Sequence, residues 1–232
     1  DMGGAAHVIG LASAIISMGL NISLTVLVPA VENSVSSSSI RPLDVVTSLN
    51  GLTTEIGNTD AEGRLILADA LALAAAGRPD LIVDFATLTG AARVALGTAV
   101  PAYFCNDDAL SERLTKAGRE KDDPLWRMPL YEGYNDRLKS RIADLRNVPS
   151  DGGMGGAITA ALYLRNFVRP GSPSCPASPG GTGGEGGGGR DYEREDEEVP
   201  WIHFDVNGAD GKGWGEAQGL RAALEMIKGM QA

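Results

Sequence analysis

Asp60 and Glu62 stand two residues apart in the run Asn58-Thr59-Asp60-Ala61-Glu62-Gly63-Arg64. On an extended or loop backbone, side chains two residues apart turn the same way, so the two carboxylates can face one point. Hard oxygen donors placed like this suit a pair of divalent metal ions. Gly63 lets the chain turn sharply, and Arg64 follows as a fixed cation able to orient a small anion or a reacting carbonyl. Taken alone, an Asp-x-Glu pair on a loop is most often a solvated turn. Here it runs straight into Leu65-Ile66-Leu67-Ala68-Asp69-Ala70-Leu71-Ala72-Leu73, the start of an Ala/Leu-rich helix. The motif therefore occupies a strand-to-helix junction, where open α/β sheets hold their ligands.

The heptapeptide and the helix start after it resemble the signature of the leucyl (cytosol) aminopeptidases, a family of two-metal exopeptidases. The resemblance continues through Asp84-Phe85-Ala86-Thr87-Leu88-Thr89-Gly90-Ala91, Trp126-Arg127-Met128-Pro129-Leu130, Ile142-Ala143-Asp144-Leu145 and Trp201-Ile202-His203-Phe204-Asp205. It spans nearly the whole chain apart from the stretch between Pro170 and Pro200. It implies removal of the first residue, often leucine, from peptides, with two divalent ions such as Zn²⁺, Mn²⁺ or Mg²⁺. By the same resemblance Asp1 matches a ligand of one metal, Asp60 a ligand of the other and Glu62 the carboxylate that bridges them. Arg64 matches the arginine that holds a bicarbonate-like anion serving as proton acceptor. Thr87, Leu88 and Gly90 match positions along the substrate's backbone. The family also uses a lysine and a bridging aspartate shortly before the position of Asp1, and a second lysine, none of which lies within this sequence. Three of the five side-chain metal ligands are thus present. A homohexamer is implied as well. The alternative is a catalytically incomplete relative that serves as a structural or oligomer-forming subunit.

The composition agrees with a small-molecule or peptide partner. The chain has 232 residues, 43% of them hydrophobic, enough for one sizeable core, so a single domain over 1–232 is expected. A net charge of −10 argues against nucleic acid and acidic membrane surfaces. No unbroken apolar run reaches the length of a membrane span. Cys105 and Cys175 supply neither a disulfide framework nor a CxxC zinc spacing, which points to a reducing, cytoplasmic setting. Because Asp1 leads directly into an apolar helical stretch, the sequence is expected to be a piece of a longer protein.

The elements that must position the motif follow an α/β order, predicting a mixed, mostly parallel sheet flanked by helices in a three-layer sandwich, as in the zinc exopeptidases. Residues 3–16 are small and apolar throughout, which suits a helix packed tightly under a sheet, with Gly19 as a C-cap. His7 on it reads as a core or helix-surface histidine and not as a ligand. Residues 20–28 alternate around Ile22, Leu24 and Val26 and predict a buried strand stopped by Pro29. A serine run, 36–39, and Pro42-Leu43-Asp44 stand where the resembling family has a glycine-containing loop and Pro-Gly-Asp. Asn50-Gly51 predicts a hairpin that delivers the chain to Asn58.

A helix over 65–76 ends before Gly77 and Pro79, and residues 81–86 form a continuous apolar strand. Thr87 or Thr89 caps the helix after it, and the loop offers free backbone groups to a peptide. Asn106 to Leu110 begins another helix, and Trp126 is expected to anchor an extended connection in the core. Gly152 to Gly156 lacks the Gly-Lys-Ser/Thr ending of a phosphate loop. Residues 170–199, rich in Pro, Ser, Gly and then charge, are expected to be a mobile, disordered insertion. Residues 201–206 form an alternating strand, and a helix closes the chain from about 216 to 230. His203 and Asp205 suggest a catalytic couple, but two apart on a strand they share one face with Trp201, and the matching family positions are structural.

Overall fold

A computed structural model describes residues 2–33, 36–170, 197–207 and 217–231. Two sheets organise it. The smaller combines the hairpin β1 (Val45–Thr47) and β2 (Thr53–Glu55) with β6 (Leu145–Arg146), which runs parallel to β2. Gly51 supplies the left-handed backbone at the hairpin tip, φ 90°, as the Asn-Gly pair predicts. Asp144 joins the two halves by accepting the Thr53 N–H at 2.8 Å.

The larger sheet has the order β3 (Ile82–Ala86), β7 (Trp201–Asp205), β4 (Ala102–Cys105), β5 (Trp126–Arg127). The pairs β3–β7 and β4–β5 are parallel and β4–β7 is antiparallel, which gives the expected mixed, mostly parallel sheet. Period-2 alternation sends its side chains to two helical layers. Phe85, Tyr103, Ile202 and Phe204 meet α1 (Gly3–Ser17), α4 (Asp108–Glu120) and α6 (Leu220–Gly229). Trp201 and Phe104 face the other layer, built from α2 (Gly63–Ala76), α3 (Gly90–Leu96) and α5 (Gly156–Arg165). Each fully buried Leu, Ile or Phe contributes about 1.5–3 kcal/mol of transfer free energy, and Phe85 stacks on Phe204 at 4.4 Å between ring centroids.

The glycine-rich start of α1 has a packing cause. A Cβ at Gly4 would lie 2.2 Å from the carbonyl oxygen of Phe85, so only glycine lets this helix approach the backbone of β3. His7 is buried, stacks on Phe85 and bonds the Gly3 carbonyl through Nδ1 at 2.7 Å, as a core histidine should.

Two expectations fail here. Residues 20–28 form no strand, and Ile22, Leu24, Val26 and Val28 are 37–42% exposed. The alternation is present, but a strand needs a neighbour to close its ladder, and no partner lies alongside among the described residues. Trp126 does not anchor in the core: it is 60% exposed on the edge strand β5, where the outward face of a two-residue strand has nothing above it. Most of the insertion expected over 170–199 lies outside the described residues. At its end, Glu198 is held by Arg165 and Arg169 at 2.9 Å each.

Candidate active site

The Asn58–Arg64 run leaves the carboxyl end of β2 and enters α2 through a single 3-10 turn, Thr59–Ala61. Asn58 caps that turn, its Oδ1 accepting the Asp60 N–H at 3.0 Å. Asp60 is exposed, and its carboxylate takes no hydrogen bond from the described residues. Glu62 occupies the N-cap position of α2, where the helix dipole favours negative charge. Its Oε2 is buried and has no hydrogen-bond partner among the described residues. A buried carboxylate oxygen without a partner costs free energy, so this atom is open to a further group.

Arg64 presents the complementary case. It lies in the first turn of the same helix, is only 8% exposed, and forms no ion pair among the described residues. Its Nη1 donates to the Asn147 carbonyl at 2.6 Å while Nε is buried without a partner among the described residues. Burial lowers the pKa of the guanidinium, and the negative ends of Tyr163 and Asp205 raise it against that. A buried cation at the positive end of a helix, with no carboxylate in ion-pair contact among the described residues, can receive an anion.

Thr87, Leu88 and Gly90 lie where β3 ends and α3 begins. Of the two candidate caps, Thr89 is the N-cap, accepting the Ala92 N–H at 3.1 Å. This loop is clamped from below by Asp205 at the carboxyl end of β7. Asp205 Oδ1 accepts the N–H groups of Leu88 and Thr89 at 3.1 and 3.0 Å, and Oδ2 accepts the Thr89 hydroxyl at 2.6 Å. The Leu88 and Thr89 amides are therefore not free for a peptide, contrary to expectation, because the sheet beneath supplies an acceptor first. The Leu88 carbonyl and the Gly90 N–H carry no hydrogen bond among the described residues. Leu88 also brings the two loops together: a Cβ at Gly63 would lie 3.6 Å from its Cδ1.

Beneath both loops runs a buried polar row. His203 and Asp205 share a face with Trp201, as the spacing predicts, but the bonded couple is a different one. Asp84 on β3 accepts from His203 Nδ1 at 2.6 Å and from Trp201 Nε1 at 2.7 Å. Burial favours the neutral imidazole, but Asp84 outweighs it and raises the His203 pKa above its ordinary value. Burial raises Asp205, opposed by His203 and by the Thr89 and Leu88 donors. His203 has no contact with solvent and so no path to a substrate. Cys105 is excluded as a nucleophile for a related reason: burial pushes its thiol up to about 11. A cleft of about 450 Å³ opens beside β5, but its arginines, Arg127 and Arg165, already pair with Asp108, Glu132 and Glu198.

Asp60 and Glu62 are thus on one loop with Arg64 behind them, and Leu88 of the second loop adjoins Gly63. Asp1 lies outside the described residues, and among those residues no group of three or more potential ligands gathers. The residue that sequence reasoning missed is Asn147, whose amide and carbonyl hold the 57–64 segment. Its only local signal is its place just after Ile142-Ala143-Asp144-Leu145, and nothing in its own neighbourhood announces a role 83 to 90 residues away.

Known proteins agree with this architecture. The catalytic-domain profile of the Cytosol aminopeptidase family matches residues 1–230. The protein named "Probable cytosol aminopeptidase" of Chlamydia caviae is 43% identical over 209 residues, covering 90% of this chain and 36% of that protein. Its namesake in Burkholderia ambifaria is 42% identical over 219 residues, covering 94% and 37%. The crystal structure of the Coxiella burnetii cytosol aminopeptidase superposes with a TM-score of 0.82 at 46% identity, over 100% of this chain and 46% of that one. A tomato leucine aminopeptidase superposes with a TM-score of 0.78 at 38% identity, over 98% and 40%. The chain spans well under half the length of these relatives. With a match over nearly its whole length to that catalytic domain, the chain belongs to the cytosol aminopeptidase family.

Proposed function

We propose that the protein is a two-metal aminopeptidase that releases N-terminal residues, with a leucine-type preference, from peptides. The observation that carries the proposal is the buried Oε2 of Glu62, unpaired among the described residues, on the same short segment as the exposed carboxylate of Asp60 and an Arg64 that forms no ion pair among them. Asp60 and Glu62 are hard oxygen donors without competing partners, so they fit divalent ions such as Zn²⁺, Mn²⁺ or Mg²⁺. With Asp1 they account for three of the ligands that the family resemblance implies. Such ions, when bound, supply polarisation of the scissile carbonyl and activation of the attacking water.

The chain's own residues do the rest. Arg64 holds a bicarbonate-like anion that accepts the proton, since His203 is sealed in the core and His7 lies under β3. The Leu88 carbonyl accepts from the peptide, and the Gly90 N–H donates to it, while Asp205 keeps their loop rigid. Retention of Asp60, Glu62 and Arg64 together favours this reading over a non-catalytic subunit. A cytoplasmic homohexamer remains part of the proposal. No helix among the described residues is long and apolar enough to cross a membrane.

Calorimetric titration with Mn²⁺ beside a leucyl-anilide assay tests it. The intact protein should bind two ions and turn over substrate. The 232-residue chain alone should hold at most one ion weakly and show no turnover, because +4 of metal charge faces only the carboxylates of Asp1, Asp60 and Glu62. Two tight sites with activity in the 232-residue chain would overturn this account of the ligands, and no metal uptake by the intact protein would overturn the function.

A further inference from the structure

Asn147 follows β6 and has no solvent exposure. Its side-chain amide is used completely. Oδ1 accepts the Gly57 N–H at 2.7 Å and the Asn58 N–H at 3.3 Å. Nδ2 donates to the Asn58 carbonyl at 2.7 Å and to the Ala61 carbonyl at 3.5 Å. Its backbone serves the same segment, for its N–H donates to the Glu55 carbonyl at 3.1 Å and its carbonyl receives Arg64 Nη1 at 2.6 Å. Every partner lies between positions 55 and 64. The contact is closed sterically as well, since a Cβ at Gly57 would stand 2.7 Å from Cγ2 of Val148 and 3.6 Å from Asn147 Oδ1.

Only a primary amide presents two donors and an acceptor side by side at this reach. Aspartate could accept the Gly57 and Asn58 N–H groups, but it would set a charged oxygen against the carbonyls of Asn58 and Ala61. Alanine would leave the Gly57 and Asn58 N–H groups and the Ala61 carbonyl without a partner, and the Asn58 carbonyl with only the Ala61 N–H at 3.3 Å. Asn58, held on both its N–H and its carbonyl, then caps the turn that carries Asp60, and the helix starting beyond Glu62 carries Arg64 back to the Asn147 carbonyl.

We infer that Asn147 is a positioning residue that sets the geometry of the 57–64 segment, and through it the affinity of Asp60 and Glu62 for divalent cations and the placement of Arg64. The inference rests on the proposal that those two carboxylates bind metal. Asn147 has no polar atom left for substrate or ion, so it acts through the loop. Side chains that hold metal ligands in place are worth roughly 10- to 100-fold in affinity or activity.

The test uses the intact protein with Asn147→Ala, Asn147→Asp and, as a control, Asn166→Ala. The Asn166 amide likewise bonds two carbonyls, those of Leu162 and Tyr163, but on α5. Three quantities are read: Mn²⁺ affinity by calorimetry, kcat and KM on a leucyl-anilide, and the Tm of the metal-free protein. Both Asn147 variants should weaken Mn²⁺ binding about 10- to 100-fold and lower kcat more than they raise KM. Asn166→Ala should lower Tm while leaving Mn²⁺ affinity unchanged. Wild-type affinity in both Asn147 variants would overturn the inference. So would an equal affinity loss in Asn166→Ala at equal loss of Tm, or loss of the fold in both Asn147 variants under conditions where Asn166→Ala is folded. If Asn147→Ala alone fails to fold, Asn147→Asp, which keeps the Gly57 and Asn58 acceptor, decides. If the wild type itself takes up no Mn²⁺, the ligand assignment is what fails. The positioning role is then read from hydrogen exchange at the Gly57 and Asn58 amides, where unchanged protection in the variants would overturn it.

Discussion

The two loops that build the candidate site are held in opposite ways. Loop 87–90 is satisfied from within: one carboxylate, Asp205, takes up the Leu88 and Thr89 N–H groups and the Thr89 hydroxyl. Loop 58–64 has its backbone held by Asn147, yet charged side chains are left over, with Glu62 Oε2 and Arg64 Nε buried and unpartnered among the described residues. On the proposed function, loop 87–90 would recognise a peptide backbone through the two groups it leaves over among the described residues, the Leu88 carbonyl and the Gly90 N–H. On the same proposal, loop 58–64 would keep its charges unpaired until ions and an anion arrive, at some cost to the stability of the empty protein.

Breaking the first clamp should give the largest effect on stability. Asp205→Ala strands three part-buried donors at about 1 kcal/mol each, so unfolding by urea should shift by about 3 kcal/mol. A loss below about 1 kcal/mol, the net worth of a single hydrogen bond, would mean that the loop is held by packing instead. Arg64→Ala in the intact protein should lower kcat about a hundredfold, roughly 2.7 kcal/mol, with metal content unchanged. An unaltered kcat would remove Arg64 from the chemistry. Glu62→Gln sharpens the contrast, because it neutralises a carboxylate that has no partner. It should raise the stability of the metal-free protein by about 1 kcal/mol while abolishing tight Mn²⁺ binding, and a less stable variant would show that Glu62 is already compensated.

Smaller effects are expected on the approach to the first loop and under both loops. Leu43 holds φ 74° and is 71% exposed, just before the hydrogen bonds that tie its N–H and Asp44 to Ile56. A left-handed backbone costs a residue with a Cβ about 1–2 kcal/mol, and glycine offsets part of that gain through its freer unfolded state. Leu43→Gly should therefore raise the Tm by only a few degrees, and no rise would place the strain elsewhere.

The smallest is a slope. His203 has its folded-state pKa raised above the unfolded value of about 6.5, so the folded protein binds the extra proton in that window. The contribution of its pair with Asp84 is complete below about pH 6.5 and is lost as pH rises through the raised value. Stability measured from pH 6 upward should fall more steeply in the wild type than in His203→Gln, and parallel curves would show that the ring is neutral throughout.

Much of this was legible in local patterns. The Asn50-Gly51 hairpin, the helix from the Asp-x-Glu motif, the apolar strand before Thr87 and the two-apart sharing of a face by Trp201, His203 and Asp205 all follow from turn chemistry and periodicity. So does the small-residue start of α1, whose cause at Gly4 is visible only against Phe85. Residues 20–28 and Trp126 mislead for one reason. Alternation and size report what a residue could bury, whereas burial requires a neighbour, and none covers either position among the described residues.

By itself, the sequence pointed to the side chains that could hold ions and an anion, since residue type and spacing set the donor chemistry of Asp60, Glu62 and Arg64, and the family resemblance added Thr87, Leu88 and Gly90 for a peptide. Only the tertiary structure decided who holds those side chains in place. Asn147 reaches Gly57 across 90 residues, and Asp205 reaches Leu88 across 117. Such partners are chosen by the closure of two sheets side by side, and a hydrogen bond between backbone and a distant amide or carboxylate imposes no pattern on the residues around either end.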